Sequence, residues 1–137
     1  MSEIDYHNLG YKIIQASFEV RKQLGRFLYE DSYERAMQVE LNLMGIKSER
    51  QKCFDVYYKG VKLDKSYKID LLVEDQIQVE LKALSYMANT EVSQILSYMR
   101  FGGYKVGYLM NFGATDFTTG KFVQDQYLDK GIYRFVL

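Results

Sequence analysis

Asp70, Glu80 and Lys82 stand in the order D-x9-E-x-K, a set of side chains able to hold a hard cation and act on a phosphate ester. Mg²⁺ takes one or two carboxylates, with water and substrate phosphate oxygens completing its shell. A lysine beside it can orient or help deprotonate an attacking water, or neutralise charge that builds on the phosphate. The three residues fall in two strand-like runs, YKIDLLV (67–73) and QIQVELK (76–82), flanking Glu74-Asp75. The odd positions of both runs are apolar: Tyr67, Ile69, Leu71 and Val73, then Ile77, Val79 and Leu81. A three-residue turn, Glu74–Gln76, pairs Val73 with Ile77 and matches every apolar position. A two-residue turn would set apolar against polar all along the hairpin. The matched register puts Asp70 directly opposite Glu80, and Lys82, two residues on, shares the face of Glu80. Facing side chains have Cβ atoms about 4.5–5.5 Å apart, and like charges there repel; the pair becomes favourable with a dication between them. The same spacing also suits the exposed face of an amphipathic hairpin solubilised by Glu and Lys, and spacing alone leaves both readings open.

Glu30 is a further candidate. It precedes Tyr33 by three residues and Met37 by seven, on the expected inward stripe of a helix. A carboxylate facing a core is costly unless paired or bound to metal. A glutamate in a first helical turn is also favoured by the helix dipole alone. Gln94 and Tyr98, four apart, share one face of a later helix, as hydrogen-bonding groups for a substrate or metal-bound water or as an ordinary flank. Other chemistries lack their residues. The one histidine, His7, reads as a surface residue, and the one cysteine, Cys53, cannot form an internal disulfide. A Ser-His-Asp or Cys-His arrangement would need His7 folded back into the site, and a His/Cys zinc site lacks ligands. Catalysis therefore falls to carboxylates, lysine, tyrosine or a bound hard cation.

The elements that position these residues follow from hydrophobic period. Residues 11–24 read as a helix with Ile14, Phe18 and the Arg21 stem on one side, interrupted by Gly25. A second helix is expected from about 28 to 44, with Tyr33, Met37, Leu41 and Met44 inward and Gly45 as its stop. In CFDVYY, Phe54, Val56 and Tyr58 alternate with Cys53, Asp55 and Tyr57; a Lys59-Gly60 turn, Val61–Leu63 and a polar break follow. Beyond the 67–82 hairpin, Asn89 or Thr90 caps a helix to about Arg100 with Val92, Ile95 and Met99 inward, ended by Gly102-Gly103. Residues 104–112 read as a strand buried on both faces, and GATDFTTG as loop before a closing IYRFVL strand. The order helix, three strands, helix, strand, without repeats or linker, predicts one α/β domain at 11–137 after a mobile N-terminal extension at 1–10.

The chain has no net charge, with 18 basic and 18 acidic residues, but the distribution is uneven. Residues 47–68 carry seven Lys/Arg (Lys47, Arg50, Lys52, Lys59, Lys62, Lys65 and Lys68) against Glu49, Asp55 and Asp64, which leaves +4 there and −4 elsewhere. That stripe suits a localised anion-binding edge, and equally a solvated hairpin edge protected by lysines. Tyr104, Tyr108, Tyr127 and Tyr133 are candidates for stacking on bases, though in a chain with 13 tyrosines packing explains them as well. No apolar run has the length to cross a bilayer and the N-terminus lacks a secretion signal layout. A cytoplasmic protein is the expectation.

Six stretches form an ordered set: Glu30-Asp31-Ser32-Tyr33, Val56-Tyr57-Tyr58-Lys59-Gly60, Ile69-Asp70-Leu71-Leu72-Val73, Val79-Glu80-Leu81-Lys82-Ala83, Gln94 through Tyr98, and Leu109-Met110-Asn111-Phe112. Together they resemble the PD-(D/E)xK nuclease superfamily and, within it, the bacterial family named for its GxxExxY motif, over roughly residues 11–137. The resemblance implies a restriction-endonuclease-like αβββαβ core, a mixed central sheet flanked by helices. It implies that Asp70 and Glu80 ligate Mg²⁺ or Mn²⁺ with the Leu81 carbonyl, that Lys82 is the catalytic lysine, and that Glu30 adds an acidic group to the metal site. Gln94 and Tyr98 look like the QxxxY element of RecB-like nucleases, near metal and substrate. Three departures stand out. Phe27 occupies the place of the Gly in GxxE, Arg26 that of a common proline, and Glu91 that of a frequent His, the last bearing on substrate preference.

The expected function is a metal-dependent nuclease that hydrolyses phosphodiester bonds in nucleic acid, DNA before RNA. The alternative is a non-catalytic nucleic-acid-binding or assembly module that keeps the fold, or a subunit of a homodimer or of a complex whose partner supplies substrate affinity.

Overall fold

Asp5 opens the first helix by accepting the Asn8 N–H on its side chain at 3.0 Å. In this computed structural model, which describes residues 5–124 and 126–137, α1 spans Tyr6–Leu24. The helix therefore starts five residues before the expected position 11. The Asp5 cap satisfies a first-turn amide and Leu9 and Gly10 are buried, so Tyr6–Gly10 are helix and not a mobile extension; residues 1–4 lie outside the described residues. Its inward stripe is Ile13, Ala16 and Val20, one step round from the expected one; Ile14 is only partly buried and Phe18 is exposed.

After Gly25, α2 (Glu30–Leu43) turns Tyr33, Glu34, Met37 and Leu41 inward. A long hairpin follows, β1 (Ser48–Tyr58) and β2 (Val61–Val73), then β3 (Ile77–Lys82), α3 (Asn89–Gly102), β4 (Val106–Asn111), β5 (Asp116–Gly120) and β6 (Lys130–Val136). The six strands form one sheet in the order β1-β2-β3-β4-β6-β5. β3 and β4 are parallel, joined across one face by α3, and β5 pairs parallel with β6; the other neighbours are antiparallel. This mixed sheet flanked by helices is the restriction-endonuclease-like arrangement expected. Leu71, Val73, Ile77, Val79, Leu81, Tyr108 and Met110 pack under α1 and α2, whereas Leu109, Tyr133 and Phe135 pack against Val92, Ile95 and Met99 of α3. Tyr108 and Tyr133 are thus core residues.

Three local expectations change. The polar segment 64–66 is strand, because β2 pairs with β1 along most of its length; β2 is solvated there on both faces, so no apolar alternation marks it. GATDFTTG contains β5, whose one buried residue is Phe117. α3 begins after Ala88, not after Asn89 or Thr90: the Glu91 carboxylate accepts the Ala88 N–H at 2.9 Å and the Thr90 hydroxyl at 3.0 Å. Gly103, at φ 81°, ends this helix in the left-handed conformation. Among the described residues, no helix is long and apolar enough to cross a membrane.

Candidate active site

The 67–82 hairpin adopts the register that apolar matching requires. Val73 faces Ile77, Leu72 faces Gln78 and Leu71 faces Val79 across a turn of Glu74, Asp75 and Gln76. Glu74 and Asp75 take φ of 51° and 56°, a left-handed conformation that costs on the order of 1 kcal/mol per residue or more. Two bonds to the start of β1 hold it: Lys47 N–H to the Glu74 carboxylate at 2.8 Å and Glu74 N–H to the Lys47 carbonyl at 2.9 Å.

Pairing of β2 with β3 stops at Leu71 and Val79. Below that point β2 continues beside β1 alone, and β3 continues beside β4. Asp70 and Glu80 occupy the crotch of this fork, next in register to the last pair. The Asp70 carboxylate accepts the Leu81 N–H at 2.9 Å, in place of a ladder bond. The β1–β2 ladder also skips the Gln51–Asp70 position, where Gln51 takes φ 54°. Here the strand changes the face it presents. Tyr67 packs on Tyr98 of α3, while Leu71 and Val73 lie under α1 and α2. The expectation that all four odd residues of β2 share one face is corrected: the interruption at Asp70 breaks the alternation.

Glu80 is 3% exposed. Burial, then the neighbouring Asp70 charge, pushes its carboxyl well above the usual carboxylate range; the Gln78 amide, bonded at 3.1 Å, only partly offsets this. Gln78 is itself buried, and its Oε1 has no partner among the described residues. Lys82 lies two residues beyond Glu80, and its ammonium makes no hydrogen bond or ion pair among the described residues. It lies near enough to Glu91 to help hold that carboxyl below its ordinary value, after the Ala88 and Thr90 bonds. Glu91 thus caps α3 and also places negative charge toward Lys82. The segment after Lys82 is clamped by buried Asn111: its side chain accepts the Leu84 N–H at 2.8 Å and donates to the Leu84 carbonyl at 3.0 Å.

The structure corrects the inward stripe of α2. Glu30 is exposed, not inward; it lines a cleft of about 480 Å³ together with Glu34, Gln51 and Asp70. The buried carboxylate of α2 is Glu34, three residues before Met37 and seven before Leu41. Those intervals were readable, but Glu30 precedes Tyr33 and Met37 at equally helical intervals, and only the position of the first turn separates them. Glu34 accepts from Arg50 Nε at 3.0 Å and from the Gln51 amide at 3.0 and 3.1 Å. Gln51 reaches onward to Asp70, at a long 3.5 Å. Burial raises the Glu34 carboxyl, with Gln51 opposing, and the Asp70 charge adding to the rise. Gln51 carried no legible sequence signal.

Gln94 and Tyr98 are bonded to each other at 3.1 Å. They line a second groove, against Phe54 and Tyr67 of the β1–β2 arm, and not the cleft that holds Asp70. The structure therefore brings together Asp70, Glu80 and Leu81, links Glu34 to Asp70 through Gln51, and sets Glu30 in the lining of the same cleft as Asp70. It leaves Lys82 two residues beyond Glu80 and near Glu91, and sets Gln94 and Tyr98 on the adjoining arm.

The donor chemistry fits a hard dication. Two facing carboxylates, one of them desolvated, are suited to a cation that takes its remaining ligands from water and phosphate. Among the described residues, no three His, Cys, Asp or Glu side chains form a complete cation cage; such a cation does not need one.

A search of curated proteins and a search of solved structures each returned no match. The family model described as the PD-(D/E)XK nuclease superfamily matches residues 7–122. That span takes in both core helices, the forked hairpin and β4, and with it Asp70, Glu80 and Lys82. The chain belongs to the PD-(D/E)XK nuclease superfamily.

Proposed function

We propose that the chain is a metal-dependent nuclease of the GxxExxY type, hydrolysing phosphodiester bonds in DNA. One observation carries the reading: Asp70 and Glu80 meet in the fork between β2 and β3, with Lys82 two residues beyond Glu80 on the same strand. A buried carboxylate beside a second one is a cost to the fold that a bound dication removes.

In this reading Asp70 and Glu80, with the Leu81 carbonyl, hold Mg²⁺ or Mn²⁺. The bound cation supplies Lewis acidity at the scissile phosphate and lowers the pKa of water. Lys82 orients the attacking water or neutralises the growing charge on the phosphate. Leu81 N–H and Gln51 fix the two Asp70 oxygens, and Gln78 holds Glu80. Glu34 takes the supporting role first assigned to Glu30, because Gln51 links it to Asp70. Glu30, which lines the same cleft as Asp70, would add negative charge to the cation's surroundings.

The test is calorimetric titration of Mn²⁺ and Mg²⁺ into the wild type and Asp70→Ala, followed by cleavage assays of the same samples on single- and double-stranded DNA and RNA. Saturable binding lost in the variant, with cleavage that follows it, is the expected result. Binding without cleavage would replace the nuclease reading by a subunit awaiting its partner. No binding, even with nucleic acid present, would leave a non-catalytic module.

A further inference from the structure

The β1–β2 arm and α3 enclose a groove of about 370 Å³, lined by Phe54, Val56 and Tyr67 on the strand side and by Gln94, Tyr98 and Phe101 on the helix side. No carboxylate lines it, in contrast to the neighbouring cleft with Glu30, Asp31, Glu34 and Asp70. Phe54, Tyr67 and Tyr98 pack mutually, with centroids 5.4–5.7 Å apart, while Phe101 remains 54% exposed.

Cations lie over two of the groove's rings and over one ring beyond it. Lys65 lies over Tyr67 at 5.3 Å, Arg100 over Phe101 at 5.7 Å, and Lys59 over Tyr58 at the arm's tip at 5.5 Å. None of the three has a carboxylate partner among the described residues. The basic stripe of the sequence thus serves the groove in part. Its other lysines include Lys62, which is paired with Asp55 at 3.5 Å.

We propose that this groove binds single-stranded DNA, with bases stacked on its aromatic walls and phosphates against Lys65 and Arg100; the proposal deepens the nuclease reading and rests on it. Ring faces with flanking cations are the chemistry of single-strand recognition, because only an unpaired base can leave its neighbours to stack on a side chain. The strand-side wall of Phe54, Val56 and Tyr67 suits deoxyribose, which brings no 2′-hydroxyl to be desolvated without a partner. The path to the reacting centre is short. Tyr67 and Asp70 are three residues apart on β2, about 10 Å of strand, so a bound strand has only to round the β2 edge at the fork to reach Asp70. Gln94, Ser93 and Ser97 give the helix side hydrogen-bonding groups for base edges.

The experiment is fluorescence anisotropy with a labelled single-stranded DNA 15-mer, the same sequence as RNA, and its DNA duplex. Asp70→Asn protein is used in Mg²⁺ so that the probe stays intact. Single-stranded DNA is expected to bind at least tenfold more tightly than duplex and more tightly than RNA. Lys65→Glu with Arg100→Glu, both surface changes, should weaken it tenfold or more and flatten its salt dependence. Tyr98→Phe should retain binding that Tyr98→Ala loses. Duplex or RNA binding equal to that of single-stranded DNA, or charge reversal without effect, overturns the proposal. Wild-type cleavage is read separately. Cleavage that ignores the groove variants defeats the groove and keeps the nuclease, while single-strand binding without metal-dependent cleavage keeps the groove and defeats the nuclease.

Discussion

The Asp70 carboxylate accepts the Leu81 main-chain N–H at 2.9 Å, in the gap where β3 leaves β2. Asp70 is therefore both a charge beside Glu80 and the acceptor for a backbone donor that the fork leaves without a strand partner. The two roles separate by mutation. Asp70→Asn keeps an acceptor oxygen and removes the like charge, so the metal-free protein should melt at or above the wild-type temperature. Asp70→Ala strands the Leu81 N–H and should be about 1–3 kcal/mol less stable than Asp70→Asn. Both should lose Mn²⁺ binding. Calorimetric melting in a chelator checks the order, and equal stability of the two variants would remove the backbone role.

Glu80 gives a pH dependence of definite sign. Its folded carboxyl, raised by burial and by Asp70, holds a proton at pH values where the unfolded chain, near 4.5, has released it. Across that window the folded state binds more protons, so stability falls as pH rises from about 4.5 through the raised value. Glu34 is raised too and contributes the same slope, so the difference from Glu80→Gln isolates Glu80. In chelator, that variant should be the more stable protein at pH 8 and lose its advantage toward pH 4. Saturating Mg²⁺ should stabilise the wild type more at pH 8 than at pH 5.5, since the cation requires the ionised group. Parallel melting profiles for the two proteins would contradict this assignment of the titrating group.

The hairpin register was legible because seven apolar residues at odd positions admit one turn length, and that register places Asp70 and Glu80 in the fork. Helix α3 was legible because its buried residues recur at the helical period, and β4 because a short, mostly apolar run marks a strand buried on both faces. Period says nothing about where pairing ends, so the fork itself was invisible. Gln51, in a left-handed conformation beside a missing pair, has no signature in composition. The inward carboxylate of α2 is Glu34 and not Glu30, and period does not separate them, because the two lie one turn apart and both keep helical intervals with Met37. The inward direction of the first turn depends on how α2 docks, which is a tertiary matter.

Glu34 and Glu30 should differ sharply in stability. Glu34 is buried between Arg50 and Gln51, and Glu34→Ala would leave both donors short of an acceptor. Removing one member of a buried pair costs about 3–5 kcal/mol; Arg50 keeps its bond to Asp31 at 3.1 Å, which favours the lower end. Glu30→Ala changes an exposed residue and should fall within about 0.5 kcal/mol of wild type. Urea denaturation measures both. If the Glu30 variant proves the more damaging, the inward stripe of α2 is wrongly placed.

Gly113 supports the segment that follows Lys82. A Cβ there would lie 2.3 Å from the Leu84 carbonyl oxygen and 2.7 Å from its nitrogen. Neither atom can swing aside, because Asn111 holds both of them. Gly113→Ala must therefore displace Ala83 and Leu84 or the turn after β4, at a cost of about 1–3 kcal/mol. The displacement acts next to Lys82, whereas Asp70 and Glu80 are held by Leu81, Gln51 and Gln78 from the other side. Cleavage should consequently fall by a larger factor than Mn²⁺ affinity. Gly102→Ala is the control: its new Cβ meets the Tyr104 ring at 2.8 Å, a side chain able to give way, and both readouts should change little. Equal losses of affinity and rate in Gly113→Ala would mean that the clamp positions the carboxylates as much as the lysine.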